Sequence, residues 1–305
     1  MSISVIIPVY NSEKTLKKLN DRINSVLSKL TDKYEIIFVN DGSKDTSNEV
    51  IKNLVKNYPF CRGIHLMRNY GQHNALLCGI RNAKYEFIVT LDDDLQNPPE
   101  EIPKMLKKLI QGYDVVYGVP EKERRGLFRD LASILTKFAL TIILGVKIAR
   151  YVSDFRIFRT ELRNSFTHYR GSFVFIDVLL TWGTDKFSAI EVQHGKREIG
   201  KSNYSFIRLV TYAIDMITGF SVFPLKIASI LGFVFAIFGL LIFLFIIGEF
   251  LLYGSPVQGF PFLASIIAIF SGAQLLSIGF IGEYLARIYF RSMDQPTYTI
   301  KNFYR

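Results

Sequence analysis

The chain has 305 residues, of which 49% are hydrophobic and 14% aromatic, and its formal net charge is +10. This composition excludes a disordered chain, because it supplies enough apolar surface for a large core. The positive charge predicts an anionic partner, which composition leaves open among nucleic acid, a nucleotide and a membrane surface. Cys61 and Cys78 stand in apolar stretches without metal-ligand spacing, so they are predicted to be reduced core residues, as in a cytoplasmic catalytic part.

The first 120 residues alternate between strand-like and helix-like patterns. Short runs rich in β-branched residues predict five strands: "ISVIIPV", "YEIIFV", "GIHLM", "EFIVTL" and "DVVYG". Amphipathic segments between them, such as "EKTLKKLNDRINSVLSKL", predict helices, with Ser12 and Asp45 as caps. This alternation predicts an α/β fold with a mostly parallel sheet and helices on both faces. Ligands of such sheets bind beyond the carboxyl ends of the strands.

Polar clusters follow the first four predicted strands: "YNSE", "NDGSKD", "RNYGQHN" and "DDD". The sequence has neither GxGxxG after the first strand nor GxxxxGK[ST], which argues against a dinucleotide-dependent oxidoreductase and a P-loop ATPase. In an extended segment, Asp92 and Asp94 point to one side and Asp93 to the other. Two carboxylates on one side repel each other unless a divalent cation binds between them and bridges to phosphates. The triplet therefore predicts a metal site, although strand ends and helix caps also carry such residues.

Two basic clusters adjoin amphipathic segments. The first contains Arg125 and Arg129 and continues into a predicted interfacial helix at about 127–145. The second, around Arg197 and Lys201, leads into a predicted juxtamembrane amphipathic helix over 201–225. Each cluster has an alternative interpretation as a solvated charged face beside a core-facing helix. A nucleic-acid surface is disfavoured, because it would interleave basic and aromatic residues along one face.

Two nearly uncharged runs, at about 227–253 and 260–286, are long enough to cross the hydrocarbon core of a bilayer. The turn between them lacks Lys and Arg, whereas basic residues flank the pair, so both ends are predicted to be cytoplasmic, with 291–305 as a tail. No basic n-region precedes the first strand, so no signal peptide is expected and residues 1–200 form a cytoplasmic catalytic domain. The alternative, two buried helices of a soluble protein, would need a modest domain to cover both runs on all faces.

Seven segments carry a more specific signal: "SVIIPVYN", "VNDGSKDTS", "RNYGQHNALLCGI", "TLDDDLQNPPEEIPKM", "SDFRIFR", "REIGKSNYSFIRL" and "GFIGEYLARIY". In this order they resemble the polyprenyl-phosphate glycosyltransferases over nearly the whole chain, and most of all the formamido-arabinose branch. The resemblance implies a family 2 enzyme with a GT-A fold, a nucleotide-sugar donor linked to UDP, and Mg²⁺ or Mn²⁺. It further implies a polyprenyl (undecaprenyl) phosphate acceptor, homo-oligomers, and the bacterial inner membrane, where the product would modify lipid A, O-antigen or another envelope glycan.

The resemblance also implies roles for individual residues. The nucleotide-sugar is expected to contact Pro8, Tyr10, Glu13, Asp41, Asp92 and Asp93. The metal is expected to bind Asp92, Asp94 and Gln96. The lipid phosphate is expected to contact Arg125, Arg129, Ser133, Arg197 and Lys201. The expected catalytic residues are Asp94, Asp154 and Arg129. For Asp41, assigned to base recognition, an Asx-turn or helix cap is the alternative, and Asn40 departs from the carboxylate that the family often has there.

The expected reaction is an inverting transfer. A phosphate monoester is largely dianionic at pH 7, so the acceptor needs little deprotonation and a strong general base is optional. The departing nucleoside diphosphate would be stabilised by the metal, and the acceptor by arginines. Asp154 is expected to act as a base or to orient the acceptor, with pairing to Arg156 or Arg159 as the alternative.

Two other functions fit the sequence less well. A processive membrane polysaccharide synthase would carry a QxxRW motif and more spans, and the sequence has neither. A catalytically inactive membrane scaffold is disfavoured because Asp92, Asp94 and Arg129 are intact. No motif identifies the sugar.

Overall fold

The computed structural model describes residues 1–120, 141, 152–171, 173–193, 195, 214, 217–253 and 259–305. They fall into two compact units, one formed by Met1–Ala213 with Asp294–Arg305 and the other by Ile214–Met293. The predicted interfacial helix, apart from Thr141, and most of the predicted juxtamembrane helix lie outside the described residues.

The first unit contains one sheet, whose strands in chain order are β1 Ile3–Val9, β2 Tyr34–Asn40, β3 Cys61–Leu66, β4 Phe87–Thr90, β5 Val115–Pro120, β6 Arg156–Arg159, β7 Phe187–Val192 and β8 Ile300–Tyr304. Its helices are α1 Leu16–Leu30, α2 Ser47–Asn57, α3 Gln72–Asn82, α4 Ile102–Ile110 and α5 Ile176–Thr181. Two 3₁₀ segments cover Pro99–Glu101 and Thr160–Phe166. The five strands predicted from the sequence are all present.

The strands lie in the order β7-β5-β6-β4-β1-β2-β3-β8. Among the described strands, β6 and β8 run antiparallel to their neighbours, so the sheet is mostly parallel. Every residue of β1 is buried, as expected of a central strand covered on both faces. Ile7 packs with α1, α2 and α4 on one face, and Ile6 packs with α3 and α5 on the other. The predicted α/β architecture is confirmed.

The C-terminal residues differ from the predicted tail, because they form a strand of the sheet. In β8, Phe303 pairs with Ile64 of β3 in antiparallel register. Tyr304 packs against the two hydrogens of Gly63, where a Cβ would lie 2.9 Å from the tyrosine ring. The Lys52 ammonium group lies over the Tyr304 ring, 5.5 Å from the ring centroid, in a cation–π contact. Backbone pairing and one aromatic anchor therefore hold this strand at the edge of the sheet.

The second unit contains two long helices, α6 Phe223–Tyr253 and α7 Phe260–Ser292. They include candidate spans over Phe223–Glu249 and Ile269–Ser292, with mean hydropathies of 3.2 and 1.3. The residues of these windows are not buried within the protein, which contradicts the alternative of two core helices in a soluble domain. Arg287 and Glu283 form the ion pair that their spacing predicts, with 2.8 Å between Nη2 and Oε1.

Candidate active site

A cavity of about 240 Å³ lies at the carboxyl ends of β1 to β4. Its lining residues are Pro8, Val9, Tyr10, Asp41, Asn69, Gly71, Gln72, Asp92, Asp93 and Asp94. They follow the same four strands after which the sequence carries its polar clusters. A larger, open groove along α1 is lined by solvated lysines and lies away from these strand ends. The strand-end cavity is the candidate active site, since parallel sheets bind ligands there.

The acidic triplet is arranged differently from the sequence prediction. Residues 93 and 94 form a turn, so the triplet is not extended, and all three residues line the cavity. Asp93 Oδ2 accepts a hydrogen bond from the backbone N–H of Tyr10 at 3.3 Å. Asp92 Oδ1 accepts one from Nε2 of Gln72 at 2.8 Å. Side chains alternate strictly only in an extended strand, and here Asp93 bonds to the loop after β1 whereas Asp92 bonds to the start of α3.

The turn is completed by Leu95, whose φ of 63° is unusual for a residue with a branched side chain. Such a conformation costs roughly 1–2 kcal/mol. The Leu95 side chain is buried in the core, and this burial holds the backbone in place. Immediately before it, Asp94 Oδ1 accepts a hydrogen bond from the backbone N–H of Gln96 at 3.1 Å. The turn that carries Asp94 is therefore held by the packing of Leu95 and by its own hydrogen bond.

Burial and neighbouring carboxylates raise the pKa values of two residues of the triplet. Burial raises the pKa of Asp92 well above its usual value, and repulsion from Asp154, Asp94 and Asp93 raises it further. Burial also raises the pKa of Asp93, to about 6. A bound cation would relieve this repulsion, because it supplies the positive charge that the cluster lacks.

The donor set fits a divalent cation that is shared with a ligand. Among the described residues, no three His, Cys, Asp or Glu side chains form a complete metal cage. Mg²⁺ usually binds through one or two carboxylates, with phosphates and water as the remaining ligands. Asp92 and Asp94 supply two carboxylates to this cavity, whereas Gln96 does not line it.

Asp41 holds the loop after β3. Its two carboxylate oxygens accept hydrogen bonds from the backbone N–H groups of Tyr70 and Gly71, at 2.7 and 2.8 Å. Burial raises the pKa of Asp41, and these two donors partly offset that effect. The local side-chain bond to the following loop is made instead by Asn40, whose Oδ1 accepts from the Ser43 N–H at 3.0 Å. Asp41 thus lines the cavity and also holds the loop after β3, which forms part of the cavity lining.

Gly42 allows the loop after β3 to approach closely. A Cβ at this position would lie 2.6 Å from the carbonyl carbon of Arg68, and its φ of 66° favours glycine.

Glu13 joins the loop after β1 to the loop after β2: its Oε2 accepts hydrogen bonds from the N–H and hydroxyl of Thr46. Those bonds lower the pKa of Glu13. Glu13 does not line the cavity, whereas Pro8 and Tyr10 do.

A buried charge network lies beside the cavity. Arg156 is completely buried at the start of β6, and it donates to Asp177 at 2.5 Å and to Asp154 at 3.1 Å. The pairing of Asp154 with Arg156, weighed as an alternative from the sequence, is therefore present, while Arg159 pairs with Asp114 at 3.3 Å. Asp154 does not line the cavity but lies close enough to raise the pKa of Asp92.

His73, on the first turn of α3, is a neutral neighbour of this network. Burial lowers its pKa to about 4, against the opposing effect of Asp154. The backbone N–H of Ile176 donates to its Nδ1 at 3.5 Å. The Phe175 ring meets the imidazole edge at a centroid distance of 4.7 Å.

Several predicted site residues lie outside the described part of the chain: Arg125, Arg129, Ser133, Arg197 and Lys201. Their roles stay predictions. Conversely, the cavity is also lined by Asn69, Gly71 and Gln72, which the sequence prediction missed although the "RNYGQHN" cluster contained them. Tyr117 and Asp177 were also missed, because no local motif distinguishes them from ordinary core and helix residues.

Comparison with known proteins decides the family. The family model of "Glycosyl transferase family 2" matches residues 4–166, which contain the whole cavity. The chain belongs to glycosyl transferase family 2. This glycosyltransferase is 36% identical over 303 residues to the undecaprenyl-phosphate 4-deoxy-4-formamido-L-arabinose transferase of Pectobacterium carotovorum, covering 98% of this chain and 93% of the relative. The enzyme of the same name from Proteus mirabilis is 35% identical, with coverage of 98% and 93%.

Solved structures confirm the fold of this glycosyltransferase. Glucosyl-3-phosphoglycerate synthase from Mycobacterium tuberculosis, solved with Mn²⁺, UDP-glucose and phosphoglyceric acid, has a TM-score of 0.54 and 19% identity. That likeness covers 71% of this chain and 77% of the synthase. At this identity it shows the GT-A fold alone. The predicted resemblance and fold class are confirmed, and the two long apolar helices mark the enzyme as a membrane protein.

Proposed function

We propose that this glycosyltransferase transfers a sugar from a UDP-sugar to undecaprenyl phosphate at the cytoplasmic face of the bacterial inner membrane. The observation that carries the proposal is the end-to-end similarity to undecaprenyl-phosphate formamido-arabinose transferases, which covers 98% of the chain and so includes both long helices. A lipid acceptor explains why one chain combines a nucleotide-sugar fold with membrane helices. The product would serve lipid A, O-antigen or another envelope glycan.

A divalent cation, Mg²⁺ or Mn²⁺, belongs to this proposal. Asp92 and Asp94 would hold it, and Gln96 is the further ligand expected from the sequence. When bound, the cation supplies positive charge to the donor diphosphate. The raised pKa of Asp92 supports this assignment, because a cluster of repelling carboxylates is stabilised by a cation.

The reaction is a single displacement. An oxygen of the acceptor phosphate forms a bond to the anomeric carbon, the bond from that carbon to the UDP oxygen breaks, and UDP leaves with the electron pair. The anomeric configuration is inverted. Because the acceptor is largely dianionic at pH 7, no strong base is needed, and Asp154 orients the acceptor or takes a residual proton. Arg129, with Arg125, Ser133, Arg197 and Lys201, is proposed to hold the lipid phosphate.

The chain path supports a topology with both ends in the cytoplasm. The described residues before the long helices, up to 195, and those after them, from Asp294 onward, belong to the same compact unit. A pair of spans that starts and ends at one domain crosses the membrane twice. Assembly into homo-oligomers through these spans stays a prediction.

A transfer assay tests the proposed function. Purified full-length protein would be incubated with undecaprenyl phosphate, Mg²⁺ or Mn²⁺, and a panel of UDP-linked hexoses, pentoses and amino sugars. We expect one sugar to appear on the lipid, with release of UDP. Transfer to water alone, or lipid glycosylation only from another class of nucleotide-sugar, would contradict the proposal. Asp114→Asn serves as a matched control, since that carboxylate pairs with Arg159 away from the cavity.

A further inference from the structure

The buried Arg156 makes two bonds in opposite directions, one into the core and one toward the cleft. Its Nη1 donates to Asp177, whose residue is 1% exposed, while Nη2 donates to Asp154, whose side chain is 49% exposed. The guanidinium group is a rigid plane, so fixing one of its nitrogens fixes the direction of the other. The orientation of a half-exposed carboxylate is therefore determined from inside the protein.

The inner end of this network is fixed by a tyrosine. The hydroxyl of Tyr117, a completely buried residue of β5, donates to Asp177 Oδ1 at 2.9 Å. The Tyr117 ring stacks on Phe187 of β7 with an interplanar angle of 11°. Residues from β5, β6 and α5 thus meet at one carboxylate, and burial leaves Asp177 little freedom to move.

Asp154, at the exposed end of the network, is also held through its backbone. The hydroxyl of Thr90, the last residue of β4, donates to the carbonyl oxygen of Asp154 at 2.9 Å. Thr90 stands directly before the turn that carries the acidic triplet, and it pairs with Arg156 across the sheet. Asp154 is consequently held by its main chain and its side chain beside the end of β4, two residues before Asp92.

We propose that Tyr117, Asp177 and Arg156 are positioning residues of the transfer reaction, which act by fixing the orientation of Asp154 beside the donor cavity. The inference rests on the proposed function. A buried ion pair alone is weak evidence of a stabilising role, because apolar residues of similar volume often serve the fold equally well. What the network provides is a defined geometry at its exposed end, and a misplaced group near the reacting atoms lowers kcat rather than donor affinity.

Kinetic double-mutant cycles separate positioning from stability. In full-length protein with saturating UDP-sugar and undecaprenyl phosphate, we expect Tyr117→Phe and Asp177→Asn each to lower kcat by about 10-fold or more, as outer supporting residues commonly do. The affinity for UDP should change by less than about twofold, because these side chains do not line the cavity. In an Asp154→Asn background, each change should cost less than about twofold further, since the residue that it positions has been replaced.

Two matched controls come from the opposite, amino-terminal end of the sheet. Glu35 forms a buried pair with Arg62 at 2.7 Å, and the Tyr34 hydroxyl donates to Asn24 at 2.6 Å. Glu35→Gln and Tyr34→Phe should lower thermal stability as the network variants do, yet leave kcat unchanged. If Asp177→Asn fails to fold, the milder Tyr117→Phe still tests the proposal.

The outcomes are distinct. Equal losses of kcat with and without Asp154, or loss of UDP affinity in parallel with kcat, would overturn the positioning role while leaving the transferase activity intact. Absence of lipid glycosylation by the unmodified protein would overturn the proposed function and this inference with it. Loss of kcat that depends on Asp154, at unchanged UDP affinity, is the expected result.

Discussion

At Asp94, one carboxylate oxygen accepts a hydrogen bond within its own turn, from the backbone N–H of Gln96. An asparagine could accept the same bond through its carbonyl oxygen, so Asp94→Asn should fold normally. Without the negative charge, we expect kcat to fall by roughly 100-fold or more, since a metal ion supplies several kcal/mol of charge stabilisation. Transfer assays and UDP calorimetry with and without Mn²⁺ measure the effect. Undiminished turnover of the native protein in excess EDTA would contradict the metal assignment.

The basic cluster around Arg129 gives a second prediction, which the sequence supports. Arg129→Ala or Arg125→Ala should raise the acceptor KM by about 10- to 150-fold, because a charge-assisted contact contributes roughly 1.5–3 kcal/mol. UDP affinity should hardly change, and lysine should restore the contact only in part, since an ammonium group lacks the planar fork.

A surface arginine provides the control for this experiment. Arg22 pairs with Glu100 at 2.7 Å on the helical surface, and Arg22→Ala should leave acceptor use unchanged. If Arg129→Ala weakens UDP binding and acceptor use equally, the arginine contacts the donor diphosphate, and the acceptor site would have to be sought around Arg197 and Lys201.

The cavity shows which residues a sequence identifies and which it does not. Asp92 and Asp94 are predictable because three adjacent carboxylates at a strand end are costly without a ligand. Asp177 is not, because it lies 21 residues after Arg156, on the short helix α5, and only the fold brings the two together. The positive φ of Leu95, which completes the turn of the acidic triplet, is likewise indicated by no local pattern.

Among the secondary-structure elements, the strands differ in how strongly sequence specifies them. The strands β1 to β5 are runs of apolar and β-branched residues, so hydrophobic patterning identifies them. The strand β6, "RIFR", and the strand β8, "IKNFY", are short and partly charged. Each becomes a strand because a distant neighbour pairs with it, and pairing over long sequence separations is invisible to a local window.

The strand β8 gives a prediction about stability. Tyr304→Ala removes a ring that packs against Gly63 and beneath Lys52, and we expect it to destabilise the catalytic unit by roughly 1–3 kcal/mol. The midpoint of thermal unfolding should fall by about 2–4 °C for each kcal/mol. Phe303→Ala, at a neighbouring residue that is 46% exposed, should have little effect. Equal shifts for both variants would show that side-chain packing does not anchor the strand.

For the molecule as a whole, membrane topology is the property to test. Basic residues flank the long helices on the side of the catalytic unit, and the connecting turn carries no Lys or Arg. A reporter inserted at Gln258 should therefore face the periplasm, and one fused after Arg305 should face the cytoplasm. Protease protection with the opposite pattern would contradict a cytoplasmic donor site.

The pairing of β8 with β3 also has a consequence in time. Phe303 and Ile64 are partners in the sheet although about 240 residues separate them along the chain. A ribosome that adds about 5–20 residues per second needs roughly 12–48 s to make that stretch, and β3 keeps an unpaired edge meanwhile. Both long helices are synthesised within this interval. A nascent chain that is interrupted in either helix never supplies the last strand, so the edge of β3 stays open to pairing with another chain.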